Sequence, residues 1–232
     1  MISSCSQLRA KGRADLKGRW AEAAMFTFVF VLIAWFVSAL GGGLDSVVFG
    51  PRVVNVNGDI DAVALIANST PGILDFVAVL LILPVSWSWE VAFLGNHRAE
   101  SDDPFSVGSL FTGYRDFLRV MGTMFMSSIL TFLFTMLLII PGIWMALRLA
   151  LTPYILRDHP ELKFNTALRL SADMMQGHKW KLLLLELSFL GWWVLVVLSL
   201  GIGYFWLAPY IGQTGVNFYE EVKAEYEARK QA

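Results

Sequence analysis

Three ionisable residues stand inside long apolar runs of this 232-residue chain: Glu90, Arg148 and Glu186. A charge at the centre of a bilayer costs on the order of 2.5–3.5 kcal/mol even on lenient scales, so such groups pair, line a polar path or hold a ligand. Arg148 falls near the middle of its run. Glu186 lies about two helical turns, and Glu90 about one turn, from the ends of theirs that carry basic flanks. All three therefore fall in one half of a bundle, and Arg148 is expected to pair with Glu186, Glu90 or both. Two roles are open for such a pair: a buried salt bridge that fixes helix register, or part of a polar pathway or anionic-ligand site.

Other reactive residues are sparse. His97, His159 and His178 lie in connections and lack the spacing of a metal-ligand pair, so no metal site and no cofactor is expected. His178 suits a helix C-terminus. Asp102-Asp103 and Asp158-His159 read as solvated pairs at the ends of runs. The single cysteine, Cys5, excludes an intrachain disulfide. The alternation Asn55, Asn57, Asp59, Asp61 reads as an Asn-Gly turn, because its glycine is misplaced for a calcium loop and no glutamate closes it. Asn68-Ser69-Thr70 is formally a glycosylation sequon. No nucleophile elbow, phosphate loop or triad spacing occurs, so no catalytic residue is assigned and the chain is expected not to be an enzyme.

The elements that must position these residues are helices. The chain is 56% hydrophobic and 16% charged, with a mean hydropathy of +0.58. Soluble domains are roughly 45–50% apolar and about 25% charged. Six apolar runs occur, at 20–40, 73–94, 117–140, 142–156, 180–200 and 202–219. A bilayer core needs about 20 helical residues. Read as one helix, 117–156 would be about 60 Å long at ~1.5 Å per residue, so it must fold back. Pro141-Gly142 supplies turn chemistry there. Run 142–156 is short, and both a full span and a re-entrant helix are open. Gly201 and Gly203 mark the next turn. The expected fold is all-α: a single polytopic membrane domain, 1–232, of six transmembrane helices.

Of the 18 Lys and Arg residues, 16 fall on one side of this layout, Arg52 on the other, and Arg148 within a run. The positive-inside rule then puts both termini in the cytoplasm. Trp20, Trp87, Trp89 and Trp180 fall at that interface. Two basic stretches, 1–19 and 161–177, show amphipathic helical spacing, through Leu8, Leu16 and Trp20 in one and Phe164, Ala167, Leu168, Met174 and Met175 in the other. Each fits a helix lying on an anionic leaflet or packing beneath the bundle. Gly177 suits a C-cap. The segment 41–72 forms an external loop and 220–232 a cytoplasmic tail. Basic flanks of spans carry no nucleic-acid motif, so no nucleic-acid partner is expected.

Each helix running back toward the cytoplasm carries a proline: Pro84, Pro153 and Pro209. With Pro141 and Gly142 these are the candidate helix breaks. They suggest three related hairpins, as transporters with internal repeats have, although proline is common in membrane helices generally. Gln213, Thr214 and Asn217 on the last run are expected to face the bundle and bond between helices.

The segments LLIIPGIWMALRLALTPYILRDHPEL, SADMMQGHKWKLLLLELSFLGWWVL and LGIGYFWLAPYIGQTGVNFYEEV, with LRAKGRADLKGRW and FTGYRDFLRV, closely resemble the bacterial integral-membrane family known as domain of unknown function 975. The resemblance covers nearly the whole chain apart from the external loop and is densest over 137–219. It implies a six-helix protein of the cytoplasmic membrane. The family is also distantly similar to the membrane region attached to some bacterial glycerophosphodiester phosphodiesterases. It supplies no activity and no catalytic residues. The expectation is a non-enzymatic protein that binds membrane lipid, a small amphipathic solute, a membrane partner protein or a second copy of itself. A small-solute or ion transporter or channel is the alternative, and a lipid-modifying enzyme the third reading.

Overall fold

The computed structural model describes residues 2–48, 72–100 and 103–231, and every regular element among them is helical. The Asn55–Asp61 turn, the Asn68 sequon, Arg52 and Asp102 lie outside the described residues.

Helix α1 spans Cys5–Asp15. Ser4 caps it: its hydroxyl accepts from the Gln7 amide at 3.4 Å, and the Gln7 side chain accepts from the Ser4 amide at 2.9 Å. Gly18, at φ 86°, makes the left-handed bend into α2, Trp20–Val48. Helix α3 is Ile73–His97, followed by a 3-10 helix, Val107–Tyr114. Then come α4, Phe117–Leu137, α5, Ile139–Leu149, and α6, Thr152–Asp158. The amphipathic α7 is Phe164–Met174. Helices α8, Lys179–Leu187, and α9, Leu190–Leu198, precede α10, Tyr204–Gln231.

Among the described residues, five helical stretches are long and apolar enough to cross a membrane: Trp20–Leu44, Ile73–His97, Phe117–Leu137, Ile139–Asp158 and Lys179–Leu198. They correspond to the first five expected runs. The sixth, in α10, does not qualify by the same measure, because Gln213, Thr214 and Asn217 and the charged continuation to Gln231 dilute it. The expected tail from 220 onward is the same helix continued.

The fold-back between α4 and α5 is not at Pro141-Gly142. The break falls at Leu138, which is extended at φ −162°, ψ 145°. Pro141 then sits in the first turn of α5, where a helix has no use for its missing N–H. Gly142 is needed for close approach: a Cβ there would stand 2.1 Å from Thr135 Oγ1 of α4. The later turn does pass through Gly201, at φ 90°, together with Leu200 at φ 53°.

The largest fully buried side chains include Leu8 and Leu16 in and just after α1, Phe93 and Leu94 near the end of α3, Ile155 and Leu156 of α6, and Phe218 and Tyr219 in the middle of α10. Toward the opposite end the helices turn apolar side chains outward, with Ile140 80% and Leu200 93% exposed. Apolar exposure on that scale suits a hydrocarbon surround.

The two basic amphipathic stretches both pack on the bundle. Leu8, Gly12 and Leu16 of α1 are buried, and Gly12 lies so close to α10 that a Cβ would be 2.5 Å from Thr214 Oγ1. In α7, Ala167, Leu168, Ser171, Ala172 and Met174 are buried while Phe164 faces outward. Gly177, at φ 83°, follows that helix as a left-handed stop.

Candidate functional site

Glu90, Arg148 and Glu186 do not pair. No hydrogen bond or ion pair joins any two of them among the described residues. Arg148 and Glu186 are exposed on the bundle surface, and Glu90 is half-buried in a cleft. A residue's place along a helix leaves its direction around that helix open. On α5, Ala146 and Leu149 turn toward Glu90, and Arg148 lies about 200° around the helix from Ala146 at ~100° per residue. Its backbone is engaged: the Arg148 carbonyl accepts from Ser171 Oγ at 3.0 Å, which fastens α7 to α5. Both glutamates lie within electrostatic reach of the buried Tyr154.

The prolines act locally. Pro84 is buried within α3, and its carbonyl accepts from Ser88 Oγ at 2.8 Å. The 3-10 helix closes over this point: Gly113 donates to Ser88 Oγ at 2.8 Å, and Tyr114 Oη donates to the Leu81 carbonyl at 2.6 Å. Pro153 lies in the first turn of α6, and its carbonyl accepts from Trp87 Nε1 at 3.0 Å. Pro209 is buried within α10.

The densest polar centre forms around Asp158, a residue expected from the sequence to be solvated. Asp158, at the end of α6, has a side chain only 5% exposed. It accepts from both ends of the Arg98 guanidinium at 2.6 and 2.8 Å, from Lys223 Nζ at 2.6 Å and from Tyr219 Oη at 2.7 Å. Arg98 also donates to Glu220 at 2.7 Å. The Asp158 hydrogen bonds, with those to Glu220, hold the Arg98 guanidinium above its ordinary range, so it stays charged. Beside it, Arg157 bonds Glu100 and the Val91 carbonyl, passing over Gly95, where a Cβ would stand 3.1 Å from Nη2. His159 is half-buried and Asp103 is exposed.

A second cluster ties α1 to α3 and α10. Asp15 accepts from Asn217 Nδ2 at 2.7 Å and Gln213 Nε2 at 3.2 Å, and lies 2.9 Å from His97 Nδ1. Asn96 donates to Gln213 Oε1 at 3.0 Å. Gln213, Thr214 and Asn217 thus face inward, at the i, i+4 spacing of one helix face. Burial pushes the Asp15 carboxyl up, and the bonds from His97, Asn217 and Gln213 outweigh it and hold it below its ordinary value. Among the described residues, no three His, Cys, Asp or Glu side chains are grouped so as to hold a metal ion.

Next to this cluster opens a groove of about 700 Å³ between α1, α9 and α10, with Trp20 at its edge. Its walls are apolar: Trp192, Val196, Leu198, Trp206 and Leu207. One cation, Arg13, stands at its rim and donates through Nη1 to Tyr210 Oη at 2.8 Å. The guanidinium also lies over the Tyr210 ring, 5.8 Å from its centroid. Tyr210 is held in turn by Phe189 and Trp192, whose rings meet its own edge to face at 5.2 and 5.9 Å. The remaining N–H donors of Arg13 have no acid partner among the described residues. An apolar trough with one cation at its polar end can hold an amphiphile that carries a negative head.

The family description matched by this chain is "Protein of unknown function (DUF975)", over residues 76–226. No curated protein and no solved structure matches it. The matched segment takes in most of α3, all of α4 to α9 and most of α10, which is well over half of the sequence, and the chain therefore belongs to the DUF975 family.

Proposed function

We propose that this is a non-enzymatic, six-span protein of a bacterial cytoplasmic membrane, with both termini cytoplasmic, that holds an anionic phospholipid. The sixth span is Tyr204–Tyr219, whose polar residues are turned inward. The observation that carries the reading is Arg13 at the rim of the tryptophan-lined groove. An acyl chain would lie along Trp192, Val196, Leu198 and Trp206, and the headgroup phosphate would meet the Arg13 guanidinium. Arg13 belongs to a run with Arg9, Lys11, Lys17 and Arg19. Such runs are drawn to the anionic leaflet by about 1 kcal/mol per residue. The topology is supported by the same charge asymmetry. Cys5 is its natural reporter, expected to react with an impermeant maleimide in inverted vesicles and not in right-side-out ones.

Native mass spectrometry of protein released from membrane-derived nanodiscs, wild type beside Arg13→Gln, tests the ligand. A retained anionic phospholipid mass that disappears in the variant is expected. Bare protein in both, or the same lipid retained in both, would overturn the reading. A second copy or a membrane partner in the groove would appear instead as an added protein mass.

A further inference from the structure

Helix α4 carries Met124, Ser127, Ser128 and Thr131 at the i, i+3, i+4, i+7 spacing of one face. This face lines a cleft of about 540 Å³ opposite Glu90 of α3, with Phe132 and Leu149 among its apolar walls. Elsewhere on α4 the hydroxyls are satisfied by the helix itself: Thr123 Oγ1 donates to the Arg119 carbonyl and Thr135 Oγ1 to the Thr131 carbonyl, both at 2.8 Å. Ser127, Ser128 and Thr131 make no such bond among the described residues, and neither does the Glu90 carboxylate find a partner there. Unmatched polar groups are costly within a membrane bundle. Four of them converge on one cleft, from which Arg148 is turned away.

We infer that this cleft is a binding site for a small organic ammonium ion. Glu90 supplies one negative charge, and Ser127, Ser128 and Thr131 supply oxygen acceptors for the ammonium N–H groups. Met124, Phe132 and Leu149 cover a short carbon chain. A bare metal ion fits less well: hard cations want six or more oxygens in a close shell, whereas this cleft is wide and mostly walled by carbon. The site is separate from the Arg13 groove and opposite to it in charge preference.

Equilibrium dialysis of radiolabelled n-butylammonium against the full chain in phosphatidylcholine nanodiscs tests this, with empty nanodiscs correcting for partition. Wild type should show saturable, one-site uptake. Glu90→Gln should weaken it by about tenfold or more, and Ser127→Ala by about threefold, as loss of a charged partner and of one hydrogen bond to a charge would do. Glu186→Gln and Arg13→Gln should bind as wild type does. The inference is overturned if wild type takes up no more than empty nanodiscs, or if Glu90→Gln binds as tightly as wild type. It is equally overturned if Glu186→Gln loses binding to the same degree, or if sodium displaces butylammonium as effectively as unlabelled butylammonium does.

Discussion

Arg13 donates to Tyr210 Oη at 2.8 Å while lying over the ring of the same tyrosine, so the one cation of the tryptophan-lined groove is fixed at its rim by α10. The contact joins the basic N-terminal helix, read from sequence as an amphipathic segment, to the interior face of the last helix. That helix pair, with α9, forms a groove with a charged end and an apolar body, the shape an anionic lipid presents.

Gly12 sets the separation of those two helices. Gly12→Ala would place a Cβ 2.5 Å from Thr214 Oγ1 and 3.2 Å from the Thr214 amide nitrogen. Thermal unfolding in detergent should show a loss of about 1–3 kcal/mol, the usual cost of overpacking. Gly12→Ala combined with Thr214→Ala should recover part of it, because only the hydroxyl contact is relieved; strict additivity of the two losses would contradict this packing.

Asp158 should be the most sensitive charge in the protein. Asp158→Ala strands Arg98 and Lys223 and should cost about 3 kcal/mol. Arg98→Lys keeps the charge but loses the two-pronged contact, and should cost about 1 kcal/mol. Denaturation midpoints of the two variants check the order.

Arg148 makes no side-chain ion pair among the described residues, so Arg148→Gln should leave thermal stability within about 0.5 kcal/mol of wild type, the range of ordinary surface substitutions. A loss comparable to that of Asp158→Ala would mean that Arg148 has a buried partner.

The Asp15 carboxyl is held below its ordinary value, so the folded state binds its proton more weakly than the unfolded chain does. Its contribution is then complete above the ordinary aspartate range, near about pH 4, and is lost as pH falls below it. Melting temperatures between about pH 6 and pH 3 should drop less steeply in Asp15→Asn than in wild type. Parallel slopes would show that Asp15 gains nothing from His97, Gln213 and Asn217.

Much of the helical framework is visible in the sequence because each apolar run needs only a count of residues to read. The inward face of α10 is visible too, since Gln213 and Asn217 share a face at i, i+4 spacing. The pairing of Arg148 is not, because a run gives a residue's depth and not its direction around the helix. The Asp158 centre is hidden for another reason. Arg98, Asp158 and Lys223 are 60 or more residues apart, and the two basic residues stand just beyond apolar runs, where they already have an explanation as flanks of spans. The fold-back at Leu138 escaped because Pro-Gly serves equally as a turn and as the first turn of a helix. The α4 face of Ser127, Ser128 and Thr131 was present as a spacing, but only the cleft opposite Glu90 gives it meaning.

Tryptophan quenching by brominated lipid tests the central claim most directly. Trp20, Trp192 and Trp206 line the groove, so wild-type protein in phosphatidylcholine vesicles should be quenched more strongly by dibromo-phosphatidylglycerol than by dibromo-phosphatidylcholine at equal mole fraction. Trp206→Phe should shrink the difference, and Arg13→Gln should abolish it. Equal quenching of the wild-type protein by the two lipids would contradict a headgroup-selective groove at Arg13.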